Sequence, residues 1–157
     1  MKKIFKIVIF LFLFNTSINA NEIFKAYVVK VHDGDTIIIK TVNNTRIKIR
    51  LFGIDAPELQ QEYGNNSKNY LLNLILNKTV NIEIKDKDQY GRSVALVYLD
   101  KLNVNYEMII NGYAWNYKKY SKDFNFENAE KIAKNKKVGL WKSISPIEPW
   151  IFRKNRL

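Results

Sequence analysis

Five carboxylates and two guanidiniums fall into three short stretches of this chain. Asp33 and Asp35 flank Gly34 in DGDT, 33–36. Arg50 opens RLFGIDAPE, 50–58, whose far end carries Asp55 and Glu58 around Ala56 and Pro57. Arg92 closes DQYGR, 88–92. Carboxylates brought together repel unless a cation sits between them. An all-oxygen ligand set selects calcium or magnesium, and calcium tolerates an irregular mixture of carboxylate, backbone carbonyl and water. Asp35, Asp55 and the carbonyl of Ala56 would give three protein ligands. A site so sparse is expected to bind calcium weakly, with Kd on the order of 10⁻⁴–10⁻³ M. Arginine forks capture phosphate oxygens. Arg50, Arg92 and a cation would stabilise charge on phosphorus oxygens, while Glu58 orients or deprotonates water. Taken singly, each aspartate also reads as turn chemistry, and Asp33 as turn-shaping. Arg50 alone reads as the end of a basic row begun by Arg46 and Lys48.

Strands and tight turns must position these groups. Phe24–Val31 and Thr36–Thr41 are rich in Val, Ile, Tyr and Thr and are interrupted by HDGD, which predicts two strands about a turn. Arg46, Lys48 and Arg50 alternate with Ile47, Ile49 and Leu51, a strand with one wet face. In an antiparallel meander the start of the second strand lies near the end of the third, which brings Asp35 to Asp55. Tyr70, Leu71, Leu74 and Ile75 fall at helical spacing, with Asn66 or Ser67 as cap. Val80–Lys85 and Ser93–Leu99 predict strands four and five around a polar loop, 85–92. Asn103 caps a short helix stopped by Gly112, and a longer helix covers 126–136. Five strands with a helix between the third and fourth predict an α+β fold: a closed, five-stranded oligonucleotide-binding Greek-key barrel with about three helices.

The length of 157 residues favours one domain. A hydrophobic fraction of 46% puts the chain among globular proteins and excludes a disordered one. The net charge of +11 calls for a polyanionic partner, nucleic acid first and an acidic membrane surface second. The absence of cysteine excludes disulfides and thiolate metal sites, and His32, as the one histidine, excludes a histidine-rich zinc site. Residues 1–20 combine Lys2, Lys3 and Lys6, an apolar stretch from Ile7 to Phe14, and a small-residue end at Ala20. That order predicts a signal peptide cleaved near Ala20, with export to a periplasm or the medium. The apolar stretch is too short to span a bilayer, which takes about 20 residues, so no stable membrane anchor is expected. The barrel domain is expected over 21–142, followed by an irregular tail, 143–157, containing Pro146 and Pro149.

DGDT, RLFGIDAPE and DQYGR, in that order, resemble the three signature segments of the staphylococcal nuclease, or thermonuclease, family. GYAW, 112–115, and VGLW, 138–141, look like further family features, and the likeness covers about residues 24–142. The resemblance implies a calcium-dependent endonuclease on an oligonucleotide-binding barrel with three helices. It would hydrolyse DNA and RNA, preferably single-stranded, break the bond to the 5′ oxygen and leave 3′-phosphates; a monomer is expected. Position by position, Asp35 and Asp55 match metal ligands. Ala56 matches a residue that ligates through its carbonyl, which alanine keeps where the best-known member has threonine. Glu58 matches the residue assigned as general base, and Arg50 and Arg92 match the two phosphate-clamping arginines. Tyr90 matches a nucleotide-contacting tyrosine; Gln89 stands where that member has lysine, which changes the contact. LQQEYG after Glu58 is shorter than that member's basic loop. Tyr117 and Tyr120, with Tyr113 near them, are expected among the base-packing tyrosines. The competing reading is a non-catalytic single-strand-binding module on the same fold. Such a module needs only basic and aromatic residues, whereas this chain carries Asp35, Arg50, Asp55, Glu58 and Arg92 together.

Overall fold

The structure is a computed structural model that describes residues 23–156. The expected signal peptide lies outside the described residues. Alternating burial sets each long strand. In β1 (Ile23–Val31), Ala26, Val28 and Val31 point inward, with a bulge between Val28 and Lys30. The second strand, β2 (Thr36–Lys40), runs antiparallel to it, and β3 (Arg46–Leu51) runs antiparallel to β2, placing Arg50 opposite Thr36. A two-residue strand, β4 (Ile54–Asp55), follows. Helix α1 (Gly64–Ile75) then leads to β5 (Thr79–Lys87), which pairs with the other edge of β1. Next, β6 (Ser93–Leu99) pairs antiparallel with β5 and parallel with β3, with Ile49 opposite Ser93 and Leu51 opposite Ala95. That last pairing closes a barrel of five long strands and removes its open edges.

Val28, Ile37, Ile39, Ile49, Leu51, Ile82 and Val97 fill the interior and are fully buried or nearly so. Each such side chain contributes roughly 1.5–3 kcal/mol of hydrophobic stabilisation. Leu71 and Ile75 of α1 join the same core. After the short strand β7 (Leu102–Asn103), the Asn103 side chain caps α2 (Val104–Ile110) by accepting from the Tyr106 N–H at 3.0 Å. Asn105 in that helix is wholly buried, and its amide ties β6, at Ala95 and Val97, to the turn at Phe52. The strand β8 (Trp115–Asn116) pairs with β4, and α3 (Phe124–Lys136) starts at Asp123, whose carboxylate accepts from the Asn125 N–H. Trp115, Ala133, Leu140 and Trp141 form a smaller cluster beside the main core.

Three expectations are revised. The third strand stops at Leu51, because Phe52–Gly53 turns the chain and Asp55 belongs to the separate strand β4. Asn66 and Ser67 lie inside α1 rather than at its cap, which is Tyr63 in a left-handed conformation. The tail expected to be irregular contains a short helix, α4 (Pro149–Lys154), because Pro149 sits at the first helical position, where its missing N–H costs nothing.

Candidate active site

Two turns are pressed together to make the site. A Cβ on Gly34 would lie 2.6 Å from the Ala56 Cβ and 2.7 Å from the Ser67 Cβ, so only glycine lets the β1–β2 turn approach β4 this closely. The approach sets the Ala56 N–H 3.0 Å from Asp35 Oδ2. The Asp35 carbonyl accepts from the Leu51 N–H at 2.8 Å, which locks this turn to the end of β3. Gly53 adopts φ +72°, and a Cβ there would lie 2.8 Å from the Ser121 Cβ and 2.9 Å from the Phe126 ring. The reversal at Phe52–Gly53 folds Asp55 back toward Arg50. Asn105 Nδ2 donates to the Phe52 carbonyl at 2.9 Å and fixes that reversal from behind.

Arg50 therefore joins the two turns. Its Nη1 is ion-paired with Asp35 Oδ1, and its Nη2 donates to Asp55 Oδ1 at 2.9 Å and to the Ile54 carbonyl at 3.2 Å. Thr36 Oγ1 adds a bond to Asp35 Oδ1 at 3.0 Å. Burial by itself would raise the Asp35 pKa, but Arg50 and the Ala56 N–H hold it below the usual carboxylate range. Burial lifts Asp55 above that range; the Arg153 fork opposes the lift, and the charge of Asp35 adds to it. Asp33 is pushed up to about 6 by burial and by Asp35, and its Oδ1 accepts from the Asp35 N–H at 3.1 Å, the turn-shaping contact.

Arg92 reaches the same groove by a different device. Asp88 accepts from the N–H groups of Tyr90 and Arg92, each at 2.9 Å, and from Arg92 Nε at 2.6 Å. One aspartate thus organises the whole loop and aims the guanidinium, whose carbon lies 5.5 Å from the centre of the Tyr90 ring. The groove has a volume of about 690 Å³. Asp33, Asp35, Arg50, Ala56, Glu58, Gln89, Tyr90, Arg92, Tyr117 and Tyr120 all line it. Asp55 is fully buried just behind that surface, bonded to Arg50. Tyr90 is 75% exposed and Tyr120 58%, as a surface for stacking requires. Tyr113 is separated from these two: it stacks on Tyr70 at 4.2 Å and belongs to the packing of α1. His32 is not part of the groove wall, and its backbone N–H closes the β1–β2 turn by donating to the Thr36 carbonyl at 2.8 Å.

Sequence reasoning missed four contributors. Asp88 had a readable signal, an Asp four residues before Arg92 with Gly91 between them. Asn105 had none, because a polar residue in a short helix reads as a surface residue. Trp150 lies parallel to the Tyr117 ring at 5.1 Å, and Arg153 donates to Asp55 and Glu58. Pro149 was the cue that a helix carries both.

The donor set fits a hard cation in kind. Asp35 and Asp55 converge and offer only oxygen, and two guanidiniums, of Arg50 and Arg153, already sit against Asp55 where a cation would be held. Among the described residues, no three His, Cys, Asp or Glu side chains gather into a fuller cluster. A metal held here would need a backbone carbonyl and water besides the two aspartates.

The closed barrel with a lined groove at its rim places the protein in the oligonucleotide-binding class of folds. The family model described as Staphylococcal nuclease homologue matches residues 48–143. The chain is 46% identical over 127 residues to an uncharacterized endonuclease of Haemophilus influenzae, covering 81% of this chain and 71% of that protein. It is 38% identical over 144 residues to an uncharacterized endonuclease of Escherichia coli O157:H7, covering 91% and 93%. With a micrococcal nuclease of Shigella flexneri it shares 35% identity over 142 residues, covering 83% and 81%. The chain belongs to the staphylococcal nuclease family.

Proposed function

We propose that the protein is a calcium-dependent endonuclease that hydrolyses DNA and RNA, prefers single strands and leaves 3′-phosphate ends. The observation that carries this reading is the convergence of Asp35, Asp55 and Glu58 with Arg50 beside the groove that Arg92 and Tyr90 also line. The names of the relatives, endonuclease and micrococcal nuclease, support it. A binding module has no use for two buried acids joined through a guanidinium. Asp35 and Asp55 would hold the cation with the Ala56 carbonyl, and the cation would supply Lewis-acid charge stabilisation at a phosphoryl oxygen. Arg50 and Arg92 bind the remaining phosphate oxygens and stabilise the charge that grows on them. Glu58, one-third exposed at the groove wall, orients water and takes its proton. Tyr90, Tyr117 and Tyr120 pack against bases or sugars, and Gln89 supplies an uncharged contact where a lysine would have added charge.

Residues 1–20 direct export, and the mature chain acts as a monomer over the domain 21–142. Among the described residues no helix is long and apolar enough to cross a membrane. The test is incubation of the protein with denatured DNA and with RNA, in calcium and in chelator, followed by end analysis. Cleavage in calcium with 3′-phosphate products is expected. Tight binding without new ends would replace this reading with the non-catalytic module.

A further inference from the structure

The C-terminal segment is fastened beside the groove at several points. Gln61 Nε2 donates to the Ile147 carbonyl, Ser143 Oγ donates to Glu62 Oε2 at 3.1 Å, and Arg156 Nη1 donates to Gln60 Oε1 at 3.0 Å. Trp150 is wedged between aromatic neighbours, parallel to Tyr117 at 5.1 Å and edge-on to Trp115 at 5.9 Å. One helical turn beyond Trp150, Arg153 is delivered to the acids. Its Nη2 donates to Asp55 Oδ2 at 2.7 Å, and its Nη1 is shared between Asp55 Oδ1 at 3.1 Å and Glu58 Oε1 at 2.8 Å.

Every carboxylate oxygen of Asp35 and Asp55 already has a partner. Asp35 Oδ1 is taken by Arg50 and Thr36, and Asp35 Oδ2 by the Ala56 N–H. Asp55 Oδ1 is taken by Arg50 and Arg153, and Asp55 Oδ2 by Arg153. A cation ligated by Asp55 needs lone pairs that the Arg153 fork covers, and two positive groups cannot share that position without strong repulsion. Arg153 also holds Glu58, the one acid left to handle water. We propose that Arg153 is a tethered counter-cation, which a divalent cation must displace from Asp55 and which releases Glu58 in the same movement. The proposal rests on the reading of Asp35 and Asp55 as cation ligands.

Displacement is mechanically simple. The Arg153 side chain is 43% exposed, so its fork can swing into water while Trp150 and the three side-chain tethers stay in place. The apparent cation affinity is then the intrinsic affinity reduced by the fraction of time Arg153 is off the acids. Cation binding and release of the base become a single coupled event.

The test is a calorimetric titration of calcium into the full chain and its Arg153→Gln and Arg153→Lys variants, without nucleic acid. Arg153→Gln should bind calcium more tightly, by roughly 5- to 150-fold, the span of typical coupling between sites. Arg153→Lys, a charge without the planar fork, should fall between. Thermal unfolding gives a second readout: Arg153→Gln should have a lower Tm than the parent in chelator and gain more from added calcium. Parent and Arg153→Gln binding calcium equally, or Arg153→Gln binding more weakly, overturns the counter-cation role and leaves the metal reading standing. If neither binds calcium, both fall.

Discussion

Asn105 is a polar residue at the centre of the molecule, and removing it should cost more than any cap or surface change. Its Oδ1 accepts from the Val97 N–H at 3.0 Å, and its Nδ2 donates to the carbonyls of Phe52 at 2.9 Å and Ala95 at 3.1 Å. The Ala95 carbonyl keeps a second donor, the Phe52 N–H at 2.7 Å. Asn105→Ala therefore deprives two backbone groups, the buried Val97 N–H and the partly buried Phe52 C=O, of this partner. Each buried polar group left unpaired costs about 1–3 kcal/mol, so the variant should lose roughly 2–6 kcal/mol. With a urea m-value near 2 kcal/mol/M, the unfolding midpoint should fall by about 1–3 M at an unchanged slope. Asn103→Ala, which removes only an N-cap two residues earlier, should cost about 1 kcal/mol and serves as the control. Urea titration followed by tryptophan fluorescence measures both. The Phe52–Gly53 reversal that brings Asp55 to Arg50 is held by this amide, so the folded fraction of Asn105→Ala should also lose nuclease activity. If Asn105→Ala loses no more stability than Asn103→Ala, the buried amide does not hold the reversal and the account of how the site is positioned fails.

Glu58→Gln keeps shape and loses the proposed base; turnover should fall by about 10²–10⁴-fold with little change in oligonucleotide affinity, and a parent-like rate would remove Glu58 from the chemistry. Asp88→Asn weakens the hold on Arg92 and its loop, so kcat and kcat/KM should both fall; unchanged kinetics would mean that Arg92 aims itself. Asp33 titrates near 6 in the fold, above its ordinary value of 3.8, so its contribution to stability is complete below about pH 4 and is lost as pH rises through 6. Asp33→Asn should erase that loss, which denaturant titrations of both proteins between pH 4 and 8 would detect; parallel pH profiles would contradict it. Oligonucleotide affinity should fall as salt rises, because phosphate contacts release counterions, and a flat salt titration would remove the electrostatic basis of binding.

The barrel was legible because its strands alternate cleanly. Arg46, Lys48 and Arg50 against Ile47, Ile49 and Leu51 admit one strand and one buried face. The meeting of Asp35 with Asp55 followed from antiparallel pairing alone, although the route differs: a glycine reversal after Leu51 makes the contact, rather than the end of a straight strand. That reversal depends on Phe126 and Ser121 lying against Gly53, a contact from far along the chain that no local pattern records. The same limit hid α4 apart from the single cue of Pro149 at its start. Six residues of helix carry too weak a period to read, and the helix is held by Trp150 against Tyr117 and Trp115 rather than by its own propensity. Tyr113, Tyr117 and Tyr120 look alike in sequence. Only packing separates the one stacked on Tyr70 from the two on the groove.

The most direct test of the proposed site uses an end-labelled single-stranded oligonucleotide with the parent protein, Asp35→Ala and Asp55→Ala, each in calcium and in chelator. The account predicts cleavage to 3′-phosphate ends by the parent in calcium, none in chelator, and loss of cleavage in both variants. Parent-like cleavage by either variant, or full cleavage by the parent in chelator, would contradict it.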